Sequence, residues 1–221
     1  MTRIFLAGAS RGVGREVAKQ LVVAGYAVTA LLRSQKGEDE LAAMGVNVVK
    51  GDALEADTMA QAIANCSPEA VISTVGGLPD DSGIRVDYVG NKNLIDGAKA
   101  AGVKRFILVS SIGAGDSAQA LPAQALETLG AVLKEKEQAE AYLAESGLSY
   151  TVIRPGGLLS QPATDQEYLT EDAAAGGSIP RAAVAKLIVQ CLNSDRATNK
   201  VFSAIDRSMQ RTNADAKAVD L

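Results

Sequence analysis

The chain has no histidine among its 221 residues. That absence excludes a Ser-His-Asp hydrolase triad, a His-ligated metal centre and an imidazole general base. Tryptophan is also missing, and aromatic residues make up only 4% against 47% apolar residues in all. The core must therefore be aliphatic and alanine-rich, which suits a parallel sheet covered by helices. There are two cysteines, Cys66 and Cys191, far apart in sequence. They form no disulfide framework and read as ordinary packing in a reducing compartment. Basic residues are not in excess: the net charge is −4 and the pI about 5.0. Clustered Lys and Arg, the footprint of a nucleic-acid binder, are lacking. No apolar run is long enough to span a membrane, and the chain enters a strand at once without a signal peptide. The expectation is a soluble protein of the cytoplasm or an organelle stroma, monomer or weak dimer, with no nucleic-acid partner and no membrane insertion.

What is present is alternation. Apolar runs predict strands at 3–8, 27–32, 46–50, 69–74, 105–110, 149–154 and 199–205. Between them, helical periodicity predicts helices at 12–24, 36–43, 55–65, 85–101, 124–146 and 180–193. Gly25, Gly45, Gly102 and Gly147 stand where four of these helices should stop. Alternation of this kind implies βαβ units. The fold class is α/β, a Rossmann-like doubly wound, mostly parallel sheet of about seven strands flanked by helices. Segment 155–180 breaks the pattern; rich in Gly, Pro, Thr and Asp, it reads as a substrate-facing loop. The tail 206–221 is polar and alanine-rich, a short helix or a frayed end.

The first strand runs into a glycine cluster, Gly8-x-x-x-Gly12-x-Gly14, and a helical pattern leaves it. Strand, glycine turn and helix are the geometry that holds a dinucleotide pyrophosphate. Gly8 permits the turn, Gly12 lets backbone approach phosphate and Gly14 lets the helix pack on the strand; Ser10, Arg11 and Val13 complete the turn. The alternative is a structural turn without ligand. At the end of the second strand, where a carboxylate would bind the ribose 2′-hydroxyl of NAD, stand Arg33 and Ser34. A guanidinium there suits the 2′-phosphate of NADP(H), with Arg11 as a second cation. Otherwise Arg33 is a solvated strand-end residue.

Further carboxyl ends of strands carry candidates. Asp52, followed by Ala53, accepts a hydrogen bond from the adenine amino group or caps the next helix; spacing leaves both open. Thr74, Val75 and Gly76 would let backbone pass close to the cofactor ribose, or form a plain turn. Ser110 and Ser111 end the fifth strand, in the switch region where ligands bind. Pro155, Gly156 and Gly157 turn across the same crevice after the sixth. Lys136 lies on the fifth helix among Lys134, Glu135, Glu137 and Glu140, which by themselves read as a solvated face.

Together these residues resemble the short-chain dehydrogenase/reductase superfamily, in its atypical branch of NmrA-like proteins and flavin reductase/biliverdin IXβ reductases. The marks are the opening glycines, Arg33-Ser34, Gly51-Asp52, Val75-Gly76, Ser110-Ser111, Lys136 with Glu140 and Ser146-Gly147-Leu148, Arg154-Pro155-Gly156-Gly157-Leu158, and Ser178-Ile179-Pro180-Arg181. The resemblance spans almost the whole chain. It implies one NAD(P)-binding Rossmann domain over 1–205, with a minimal substrate region at 155–180. Typical members carry Tyr-x-x-x-Lys, in which Tyr donates the proton. With Lys136 as the Lys, the Tyr position is Val132. The flavin and biliverdin reductases also lack that Tyr, and Ser111 matches their serine beside the nicotinamide. The resemblance thus implies an NADPH-dependent oxidoreductase acting on a small aromatic acceptor: a flavin (FMN or FAD as substrate), a quinone or a linear tetrapyrrole. Ser111 would orient nicotinamide or acceptor, and Lys136 would hold cofactor hydroxyls. The alternative is a non-catalytic NADP(H)-binding redox sensor or assembly factor. A nucleotide-sugar epimerase fits poorly, since that branch keeps the Tyr and has a larger C-terminal domain.

Overall fold

The computed structural model describes residues 1–77, 85–213 and 215–221, so position 214 of the polar tail lies outside it. Six strands follow the predicted order: β1 (Arg3–Ala7), β2 (Ala27–Leu32), β3 (Asn47–Lys50), β4 (Ala70–Ser73), β5 (Arg105–Val109) and β6 (Ser149–Pro155). The helices are α1 (Gly12–Val23), α2 (Glu38–Ala43), α3 (Ala56–Cys66), α4 (Val86–Ala100), α5 (Ala123–Glu145) and α6 (Arg181–Leu192). Gly25, Gly45, Gly102 and Gly147 all adopt positive φ just past a helix.

Further strands are β7 (Gly157–Leu159), β8 (Glu167–Thr170), β9 (Gly176–Pro180), β10 (Lys200–Asp206) and β11 (Gln210–Thr212). The main sheet has eight strands in the order β3-β2-β1-β4-β5-β6-β10-β8. Only the β10–β8 pairing is antiparallel. The sheet is Rossmann-like and buried on both faces. On β1, Ile4 and Leu6 join a core with Val17, Leu21 and Ile188, from α1 and α6. Phe5 and Ala7 join a second core with Met59, Ile63 and Leu94, from α3 and α4. Burial on both sides is why the strands read as continuous apolar runs.

Segment 155–180 is not a loop. It supplies β7, β8 and β9; β8 forms the eighth, edge strand, and β7, β9 and β11 form a second, three-stranded sheet. The strand signal is absent because close packing demands glycine. A Cβ on Gly177 would stand only 2.5 Å from the Met209 carbonyl oxygen and 2.8 Å from Gln210 Cα, on the chain leading into β11. The tail opens with a single 3-10 turn, Arg207–Met209, and then packs back on the fold. It contributes β11, buries Ala216 against Tyr168 and Ile205, and donates the Val219 N–H to the Leu169 carbonyl at 2.8 Å.

The turn between β1 and α1 sets where the helix begins. Thr74 follows β4 and bonds the Ala7 carbonyl through both its N–H (2.9 Å) and its hydroxyl (3.0 Å). Gly8 holds φ +90° against it, and a Cβ on Gly14 would overlap the Gly8 carbonyl oxygen. Overfilling so tight a contact costs about 1–3 kcal/mol, so Gly14→Ala should lower the urea midpoint with an unchanged m-value. Gly130, inside α5, has nothing within 4 Å of a Cβ. Gly130→Ala should instead stabilise by about 0.5–1 kcal/mol in the same measurement.

Candidate functional site

A cleft of about 1420 Å³ runs along the carboxyl ends of the parallel strands. Pockets for one drug-sized ligand measure roughly 300–1000 Å³, so the cleft is larger than one such ligand requires. Every candidate catalytic and cofactor-binding residue lines this cleft except Ser34. The strand order puts β2 and β3 towards one end and β5 and β6 towards the other, with the glycine turn and β4 between.

At the centre, Gly8, Ser10, Arg11, Gly12, Val13 and Gly14 form the wall. No side chain caps α1, and its first turn holds no acidic residue. Its leading N–H groups and positive dipole end therefore face the cleft, as an anion site requires. Arg15 braces the turn by donating to the Ser10 carbonyl while pairing with Glu40. Towards β2, Arg33 is exposed and lines the cleft. Ser34 points elsewhere: its hydroxyl accepts the Lys36 N–H at 3.4 Å and its carbonyl accepts Lys50 Nζ at 3.2 Å. Asp52 and Ala53 line the β3 end. Asp52 Oδ1 accepts the Leu54 N–H at 3.0 Å, capping the turn that precedes α3, whose own cap position is Glu55. The Ala53 carbonyl is held by Asn93 Nδ2 at 2.9 Å.

Thr74, Val75 and Gly76 pass along the floor. Two polar residues of α4 fix them there. Asn91 donates to the Val75 carbonyl at 3.3 Å and accepts the Ser73 hydroxyl. Asp87, fully buried, accepts the Gly77 N–H at 3.3 Å and holds Lys136 Nζ at 2.9 Å. Lys136 is thus tied across the cleft floor instead of solvated, unlike a residue of an outward helix face. Asp87 and Asn91 were legible only as a polar i, i+4 pair on a helix side that should be apolar.

At the β5 end the Ser110 hydroxyl is buried and has no hydrogen-bond partner among the described residues. The Ser111 hydroxyl donates to the Ile112 carbonyl at 2.9 Å. Pro155 ends β6, and Gly156 and Gly157 follow along the wall. Behind them the buried Arg154 makes a two-pronged pair with Glu140 of α5, Nε to Oε1 at 3.1 Å and Nη2 to Oε2 at 2.6 Å. Its Nη1 reaches the exposed Asp116. Ile112, Leu121, Leu129, Leu158 and Leu159 give this end an apolar lining. Arg181, first residue of α6, also lines the cleft; the sequence marked it only as a helix start. The cysteines take no part. Burial pushes the Cys191 thiol up to about 12 and raises that of Cys66, so neither is a thiolate near neutral pH.

Sheet order, glycine turn and cleft define a Rossmann protein of the dinucleotide-binding class. The family described as NAD(P)H-binding matches residues 8–195. ChuY, an anaerobillin reductase from Escherichia coli O157:H7, superposes with a TM-score of 0.84 at 35% identity, over 93% of this chain and 97% of that one. An uncharacterized chloroplastic protein of Arabidopsis thaliana is 35% identical over 93% of this chain and 77% of its own length. The sanguinarine reductase of Eschscholzia californica is 41% identical over 53% of this chain, a match that takes in 44% of that reductase. The chain belongs to the NAD(P)H-binding reductase family, within the atypical, biliverdin reductase-like branch of the short-chain dehydrogenase/reductases. No helix of the described residues is long and apolar enough to cross a membrane.

The Arg154–Glu140 pair shows what holds this end together. Removing one member of a buried ion pair costs about 3–5 kcal/mol, whereas an exposed partner is worth under about 1 kcal/mol. Glu140→Ala should therefore destabilise strongly in denaturant unfolding, and Asp116→Ala only slightly.

Proposed function

We propose that the protein is an NADPH-dependent reductase that delivers hydride to a flat acceptor such as a flavin, a quinone or a linear tetrapyrrole. The observation that carries this reading is the apolar end of the cleft. Leu129, Leu158 and Leu159 are three of the six large apolar side chains left exposed among the described residues, and all three line the cleft. Exposed apolar groups gathered in one concave site favour a planar organic ligand. No tyrosine lines the cleft among the described residues. Val132, one helical turn before Lys136, offers no proton, so an acceptor that needs little proton donation from the protein suits the site.

The residues present fit the cofactor. The glycine turn and the open end of α1 would hold its diphosphate, and Arg33 with Arg11 its 2′-phosphate. Asp52 and Ala53 would meet the adenine, and Thr74, Val75 and Gly76 the ribose on the far side. Ser110 has a buried hydroxyl in need of a partner. Ser111, Pro155, Gly156 and Gly157 would frame the nicotinamide. Lys136, steadied by Asp87, would bind ribose hydroxyls. The reduced nicotinamide supplies the hydride, and the protein contributes position and exclusion of water. The two reductases among the similar proteins support this reading, as the chloroplastic relative supports a stromal location beside a cytoplasmic one.

NADPH oxidation assayed with FMN, FAD, biliverdin and small quinones should show turnover with at least one of them. Tight NADPH binding without turnover on any would favour a non-catalytic NADP(H)-binding redox sensor. Charge-assisted hydrogen bonds contribute about 1.5–3 kcal/mol each, so Arg33→Asp should weaken NADPH binding about 10- to 100-fold while NADH binding changes little. An equal loss for both cofactors would remove the 2′-phosphate assignment.

A further inference from the structure

Arg181 is the cleft's second guanidinium wall, opposite the glycine turn. Its Nε lies 3.8 Å from where a Cβ of Gly12 would stand. Its Nη1 donates to the Leu158 carbonyl at 3.2 Å and to the Ser160 hydroxyl at 2.9 Å. Among the described residues no carboxylate pairs with it. Glu16, which also lines the cleft, is engaged with Lys19 at 2.9 Å. Three positive features therefore line the same cleft: Arg181, placed beside Gly12, Arg11, and the uncapped end of α1. Such a gathering is self-repelling unless an anion sits within it.

We propose that Arg181 clamps the cofactor diphosphate against the glycine turn and, through Leu158 and Ser160, fixes β7 as the wall of the acceptor pocket. The proposal rests on the reading of the cleft as the NADP(H) site. It assigns Arg181 to the diphosphate, common to both cofactors, and leaves the 2′-phosphate to Arg33. A planar guanidinium suits both duties, since one nitrogen can stay on β7 while the remaining donors meet phosphate oxygens. Cofactor binding would then seat the acceptor wall before the acceptor arrives.

The test is calorimetric titration of the wild type, Arg181→Ala and Arg181→Gln with NADPH and with NADH, at two salt concentrations. Gln retains a donor for the Leu158 carbonyl without the charge, so it separates loss of anion binding from loss of β7 support. The expected result is that both variants weaken NADPH and NADH by the same factor, about 10-fold or more, with a shallower salt dependence. A loss confined to NADPH would overturn the proposal by moving Arg181 to the 2′-phosphate. Unchanged affinities, with only a raised acceptor KM or a lowered melting temperature, would overturn it in favour of an acceptor contact or a structural tie. A wild type that binds neither cofactor would sink the underlying site reading, a failure visible before any variant is compared.

Discussion

The contact among Gly8, Gly14 and Thr74 is the constraint on which the rest depends. Three segments meet there with only the Thr74 hydroxyl between them: the exit of β1, the first turn of α1 and the exit of β4. Because a Cβ on either glycine would collide, α1 can start immediately at the sheet edge and point its N-terminus into the crevice. The consequence is electrostatic as much as steric. Partial positive charge at a helix end falls off within a turn, so a helix displaced by even one side chain would present it less effectively. The face proposed to bind the cofactor diphosphate therefore follows from close packing, and on that reading chemistry and stability draw on the same few atoms.

A second constraint runs through α5. Lys136 and Glu140 lie one turn apart on it, and each meets an oppositely charged group from another element: Asp87 of α4 and Arg154 of β6. Buried charges are costly without partners, so these pairs are poor sources of net stability but strong specifiers of position. Any shift of α5 would strand two of them at once. The helix is thereby registered against the floor at Gly76–Gly77 and against the β6 exit at Pro155. A lysine so held is a fixed donor, which suits binding a defined hydroxyl pair better than sampling a range of ligands.

Much of the layout was legible because parallel strands buried on both faces produce unbroken apolar runs, and helices between them stop at glycines. The cleft residues were legible for a related reason: in this topology the ligand side is the carboxyl end of each strand, so the residue after each run is a candidate. What stayed hidden depended on contacts distant in sequence. β9 reads as a loop because Gly176 and Gly177 admit close neighbours, and the information that demands them lies at Ala120 and Thr212 for the first and at Met209 and Gln210 for the second. The tail reads as polar because Ala216 and Val219 gain their partners only from the β8 region and the end of β10. Asp87 and Arg181 stand at helix starts, where charged residues are ordinary; only the fold puts one beneath Lys136 and the other beside Gly12. Ser34 is the opposite case, adjacent in sequence to a cleft residue yet turned aside by its own turn hydrogen bond.

The small sheet connects these observations to chemistry. Its β7 strand carries Leu158 and Leu159 into the cleft, while Gly156 behind them presses on the Gly177 carbonyl of β9. The wall proposed to face the acceptor is thus braced from the rear by β9, itself paired with β11, and from the side by Arg181. A wall made of backbone pairing and two leucines can offer shape and desolvation but no titrating group. Hydride transfer between stacked rings needs little more, because alignment of the reacting atoms and exclusion of water supply much of the rate. A carbonyl reduction would demand a proton at the developing alkoxide as well. Neither the leucines nor Val132 can give one, and Ser111 already donates its proton to the Ile112 carbonyl, which leaves the buried Ser110 hydroxyl and the Lys136 ammonium, held by Asp87, as the proton-bearing groups nearby. On the proposed reading, this apolar wall suits acceptors whose negative charge is delocalised over a ring system better than those that concentrate it on one oxygen.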